Sequence, residues 1–294
     1  MDAVDAAFEA VVLGFAADDI ALARGVRARI GPDRYALEWN LPWWIGRALG
    51  VDASTCERLS LGNVIGLVAL RLSDDLEDGD VAAEDVASAR RLSDGLLAAA
   101  LASYHSLFPP SSPLWPRLDA WLAEWHEATR IGASSHRATQ LTARAAPVKA
   151  SAYGACLIHG RGELFVTLES ALDNALQAMV LFDHLVDWQH DIQAGRWNAF
   201  AAHALGKPRG GGDAAVRTTG VYRALLTGNA LEAYINEIDS NMRRAIEVVG
   251  DLGLTSLEEH LSQLDERMKE HSQALRTHYR DLAERATVLL VRTP

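Results

Sequence analysis

Basic charge is scarce in this chain: 28 Lys and Arg stand against 39 Asp and Glu, a formal net charge of -11. No basic cluster occurs in it, which argues against a nucleic-acid surface. Cysteine is scarcer still. Cys56 and Cys156 lie in helical contexts without metal-ligand spacing, so neither a disulfide framework nor a zinc site is indicated, and a reducing, cytoplasmic setting fits. The opening residues, MDAVDAAFEAVVLGFAADD, are acidic and lack the basic n-region of a secretion signal. No apolar run approaches the roughly 18 residues of a membrane span, so the expectation is a soluble protein without stable membrane insertion. Strict alternation of apolar and polar residues is also missing, which leaves no sheet to propose. What remains is all-α. With 294 residues and 49% hydrophobic content, the chain is read as one large helical domain, 1–294.

Two stretches organise that domain. Residues 163–198 read as one long helix, apolar almost all round, carrying Asp183, Asp187 and Asp191 at four-residue intervals and stopping at Gly195. Steps of four place the carboxylates on one stripe. Leu172, Leu176, Leu181 and Leu185 predict a helix buried at the centre of a bundle, where carboxylates could not simply face water. The second stretch, 61–80, runs an apolar helix into Asp74, Asp75, Glu77 and Asp78 before Gly79. In both, anions crowd the negative end of the helix dipole, so a cation must offset them. Oxygen-only donors point to Mg2+ rather than zinc.

The rest reads as packing. Residues 3–30 predict one or two short helices, 36–49 a tryptophan-rich helix that Pro42 starts or kinks, and 81–107 a return helix. Residues 113–130 put Leu118, Trp121 and Trp125 on one face, and 131–145, with Arg137 and Arg144, predict a small polar helix. In 148–160 small residues allow close helix approach, with Lys149 as the charged group. Residues 206–213, GKPRGGGD, read as a flexible loop in position for a lid, followed by two long amphipathic helices at 214–248 and 254–290.

If the acid stripes face one another, the natural guest is a diphosphate held through Mg2+, with a hydrocarbon against the apolar wall. Asp74-Asp75-Leu-Glu-Asp78 resembles the DDxxD motif of class I terpenoid synthases. Asp187-Trp-Gln-His-Asp191, followed by Gly195-Arg196, resembles the second motif of squalene/phytoene synthases, with His190 in place of the usual acid. The resemblance covers about residues 55–290 and implies a single helical bundle around a central cavity. It further implies more than one Mg2+ ion at Asp74, Asp78, Asp183, Asp187 and Asp191, with Asp75 also in the catalytic set. Lys149 and Arg196 are the implied diphosphate-binding cations. Arg71 could equally pair with Asp75, His184 and His190 with carboxylates, and Arg276, Tyr279 and Arg280 sit on a helix whose charges suit a surface.

The implied activity is a Mg2+-dependent terpene synthase, a lyase that ionises an allylic prenyl diphosphate and cyclises or rearranges the carbocation. The acidic stretch after Asp78 departs from the Arg-Arg pair of chain-elongating members. A prenyltransferase or head-to-head condensing synthase is the alternative, and a non-catalytic helical binding protein lies outside the enzyme class. The family's habit of pairing through bundle faces adds a homodimer to the expectations.

Overall fold

The computed structural model describes residues 2–30, 36–131, 142–143, 145–206 and 213–292, with side chains described except at 2, 3, 78, 130, 131 and 286–292. Among these residues there are twelve α-helices, one 3-10 turn (Ala146–Val148) and no strand, in agreement with the all-α reading. In chain order the helices are α1 Asp2–Val12, α2 Ala17–Arg29, α3 Ala36–Ala48, α4 Ala53–Asp78, α5 Val86–His105 and α6 Leu114–Ile131. They continue as α7 Lys149–Ile158, α8 Leu164–Gln193, α9 Ala199–Leu205, α10 Ala214–Thr227, α11 Ala230–Asp251 and α12 Thr255–Arg292. The polar segment around Arg137 and Arg144, and the lid reading of 206–213 beyond Gly206 and before Asp213, lie outside the described residues.

Two compact units are distinguished within the span read as one domain. The first comprises Met1–Arg130, Arg144–Glu169 and Leu252–Leu257, the second Ile131–Ala143, Ser170–Asp251 and Glu258–Pro294. In the first, α4 packs on α1, α3, α5 and α7, and Phe8, Val26, Ile65, Leu72, Leu92 and Leu96 bury its core. Small residues in α7 let it approach: a Cβ on Gly154 would stand 3.1 Å from both Leu59 and Phe108. In the second, α9 packs on α10 and α11, and Leu181, Trp188, Phe200, Ile235, Met242 and Leu261 are buried.

Pro42 sits inside α3 rather than at its start. Proline has no amide hydrogen to give the carbonyl one turn back, which is that of Glu38. Asn63 of α4 takes the vacancy, its Nδ2 donating to the Glu38 oxygen. The Glu38 side chain is buried beside this repair, and loss of water pushes its carboxyl up to about 7.

The expected helix 214–248 is two helices. Gly228, in an extended conformation with φ -126 and ψ -174, breaks it between α10 and α11. Thr227-Gly228-Asn229 is turn chemistry that the apolar periodicity on either side overrode. α8 is long and apolar enough to cross a membrane by length and composition, although Glu169 and Asp173 interrupt its apolar half. Those two acids kept it from reading as a continuous apolar run.

Candidate functional site

The first acid-tipped helix has firmly marked ends. At its start, the Asp52 carboxylate accepts from the Thr55 amide at 3.0 Å, from Ser54 Oγ at 2.8 Å and from Thr55 Oγ1 at 2.7 Å. These bonds hold its carboxyl down at about 2. At its finish Gly79 takes φ 75, a left-handed conformation open to glycine, and the chain turns back so that the Asp80 amide reaches the Asp75 carbonyl at 2.9 Å. Asp74 and Asp75 therefore occupy the final turns. Asp75 is almost fully buried and lies between two guanidinium groups, Arg29 at 2.6 Å and Arg71 at 2.9 Å. Arg71 also reaches Asp74 at 3.3 Å. The cation demanded at this helix end is thus supplied in part by protein, as the Arg71 pairing reading allowed. Arg29, on α2, was not foreseen. The Asp78 side chain lies outside the described residues.

The second helix end repeats the plan with different partners. Gly195 takes φ 74, and the Arg196 amide returns to the Asp191 carbonyl at 2.8 Å. Leu181, Leu185, Trp188 and Ile192 form the buried face. Asp183 and Asp187 are exposed and Asp191 is half-buried. The expectation that these acids would be shut away from water is corrected for the first two. An apolar-all-round pattern hides which face turns outward, and here Val186 is exposed with them.

Asp191 is held on both oxygens, by Arg196 Nε at 3.1 Å and by Asn198 Nδ2 at 2.8 Å. Asn198 is buried, caps α9 by accepting from the Ala201 amide at 3.0 Å, and donates to the His184 carbonyl at 2.9 Å. His184 Nδ1 accepts from the Ala199 amide at 2.9 Å, so this histidine fixes the following helix. Arg217 donates to the Ile192 carbonyl at 3.3 Å, adding positive charge at the same terminus. Sequence reasoning missed Asn198, although an Asn ahead of a short apolar segment is a cap signal.

Lys149 lies in the first unit, buried at the start of α7. Its ammonium stands 3.1 Å from Glu169 Oε1, which also accepts from Trp121 Nε1 at 3.1 Å. Arg117 approaches Glu169 Oε2 at 3.3 Å. Both cations lie over the Trp121 ring, at 5.5 Å for Lys149 and 5.9 Å for Arg117. Near the C-terminus, Arg276 pairs with Glu232 at 2.9 Å and Arg280 with Asp281 at 3.8 Å. The Tyr279 hydroxyl accepts from buried Trp188 at 3.3 Å, and burial pushes the ionisation of this phenol to higher pH. These three sit in structural contacts.

Asp74, Asp75 and Lys149 thus belong to the first unit, and Asp183, Asp187, Asp191 and Arg196 to the second. Among the described residues no three His, Cys, Asp or Glu side chains converge on a point. The donors at each helix end are carboxylates, matching the hard oxygen ligands that Mg2+ prefers; this ion usually takes one or two carboxylates and completes its shell with water and substrate phosphate. Comparison with known protein families finds no match, and neither curated proteins nor solved structures match the chain.

Proposed function

We propose that this protein is a Mg2+-dependent class I terpene synthase that ionises an allylic prenyl diphosphate and cyclises or rearranges the resulting carbocation. One observation carries the reading: two long helices each run aspartates into a final turn closed by a left-handed glycine, Gly79 or Gly195. A single bundle around a central cavity belongs to the same proposal. In it Asp74 and Asp78, with Asp183 and Asp187, hold magnesium, which supplies charge neutralisation on the departing diphosphate. Asp75 and Asp191, engaged by arginines, set the orientation of their turns. Lys149 and Arg196 bind diphosphate oxygens. Apolar helix faces exclude water from the carbocation, and aromatic faces attract it.

The test is product analysis by gas chromatography after Mg2+ and allylic diphosphates of ten to twenty-five carbons are supplied one at a time. Hydrocarbon or alcohol from a single substrate is the expected result, lost in Asp74→Ala and Asp187→Ala. Product only when isopentenyl diphosphate is added would assign a prenyltransferase instead.

A second reading draws on the ion pairs of Asp75 and Asp191, which neutralise part of each stripe without metal. It makes the chain a non-catalytic helical binding protein. Calorimetry separates the two, because a catalytic site gains Mg2+ affinity when a non-hydrolysable diphosphate arrives and a structural one does not.

A further inference from the structure

Glu169 joins three helices of the first unit at one carboxylate. Its Oε1 faces the Lys149 ammonium of α7 at 3.1 Å, and its Oε2 faces the Arg117 guanidinium of α6 at 3.3 Å. The Trp121 indole donates to Oε1 at 3.1 Å. The lysine side chain is 6% exposed and the carboxylate 17%, whereas Arg117 is 43% exposed, so the node is buried at one end and open at the other. A carboxylate that offers one oxygen to each of two cations has the shape with which a phosphate group bridges such a pair. Arg117 meets Glu169 through one nitrogen, Nη1, and its side chain is 43% exposed.

We infer that Arg117 and Lys149 form a cradle for a phosphate-type anion and that Glu169 occupies the anion's place in the ligand-free protein. This rests on the reading of Lys149 as a diphosphate-binding residue and extends it with a second cation, Arg117, and an internal competitor. Binding exchanges one anion for another: the phosphate oxygens take the two cations and the Glu169 carboxylate swings off them. The sign of one substitution then follows from Coulomb's law. Glu169→Gln removes the competing charge, so a phosphate ligand must bind more tightly although the free protein is less stable. A merely structural ion pair leaves the pyrophosphate affinity of the native protein unmoved by Arg117→Gln.

The experiment titrates inorganic pyrophosphate into the full-length protein, with and without Mg2+, by calorimetry. Glu169→Gln is expected to tighten binding by about tenfold or more, and Arg117→Gln to weaken it by about tenfold. Arg117 is half-exposed, so that variant folds even if Lys149→Gln does not. Pyrophosphate should also change tryptophan fluorescence through loss of the Trp121–Glu169 bond, a change absent in Trp121→Phe. Unchanged or weaker binding in Glu169→Gln overturns the cradle, as does Arg117→Gln binding with native affinity. Failure of the enzymatic reading looks different: pyrophosphate binding moves as stated, yet no allylic diphosphate is turned over. If turnover is present and the Glu169→Gln gain is not, only the cradle falls.

Discussion

The two acid-tipped helix ends share a stop signal and differ in how their carboxylates are held. At Gly79 the critical partner comes from far along the chain, Arg29 of α2 reaching a buried Asp75. At Gly195 the partners come from the next few residues, Arg196 and Asn198, and the acids upstream of Asp191 stay exposed. The first end is built into the packing of its unit. At the second, the Asp191 carboxylate is held by its own loop, and Arg217 of α10 adds a contact to the Ile192 carbonyl. A charge placed in a core ties its helix end to global stability, whereas one held by neighbouring residues ties it to the local turn.

The sharpest contrast should appear in the pH dependence of the first unit. Glu38, beside the Pro42 repair, has a carboxyl raised from 4.5 to about 7 by burial. A raised value means that the folded state holds the proton more tightly than the unfolded chain. Stability from this group is therefore complete below about pH 4.5 and lost as pH rises through about 7. Glu38→Gln should stabilise the protein by about 3 kcal/mol at pH 8 and by nearly nothing at pH 4.5, taking ~1.36 kcal/mol per pKa unit. Urea unfolding at both pH values checks it. In the second unit Asp239 is raised in the same direction by burial but is opposed by Lys269, Arg276 and Arg243, so Asp239→Asn should give the same sign and a smaller slope.

Asp75→Ala comes next. Its two arginines are 55% and 37% exposed and can rehydrate once the carboxylate is gone, so the loss falls below that of a fully buried pair. About 2 kcal/mol is expected, read as a lower urea midpoint. A loss under about 0.5 kcal/mol, the level of an ordinary surface change, would erase the distinction between the two helix ends. Asn198→Ala should cost about 1.5 kcal/mol, since it removes an N-cap together with the bonds to Asp191 and the His184 carbonyl. Asn198→Asp should do no better, because it keeps the cap while setting a second anion against Asp191. Recovery of full stability by Asn198→Asp would show that the cap alone matters.

Much of this is legible in the amino-acid sequence. Glycines after apolar runs marked both helix ends, because this signal acts within a few residues. Arg71 four residues before Asp75 belongs to the same local grammar. Arg29 and Glu169 were illegible for the opposite reason: Arg29 meets Asp75 across 46 residues of chain, and Glu169 meets Lys149 across 20 and Trp121 across 48, at distances that tertiary packing sets. The facing of Asp183 and Asp187 failed differently. With apolar residues on every side of α8, no stripe distinguishes inside from outside. The Gly228 break was visible in the letters and lost to the periodicity around it.

The smallest stability effect is the most informative about function. Asp187→Asn alters an exposed carboxylate in the C-terminal part of α8, so it should change stability by less than about 0.5 kcal/mol. If the proposed chemistry holds, Asp187→Asn nevertheless abolishes diphosphate release while the urea midpoint stays in place. Asp75→Ala loses both together, because its carboxylate organises the turn that carries Asp74. Measuring release of diphosphate and unfolding on the same preparations sets the two helix ends side by side. Should Asp187→Asn keep native turnover, the exposed acids of α8 are a solvated face and the work of the second helix end is confined to Asp191, Arg196 and Asn198.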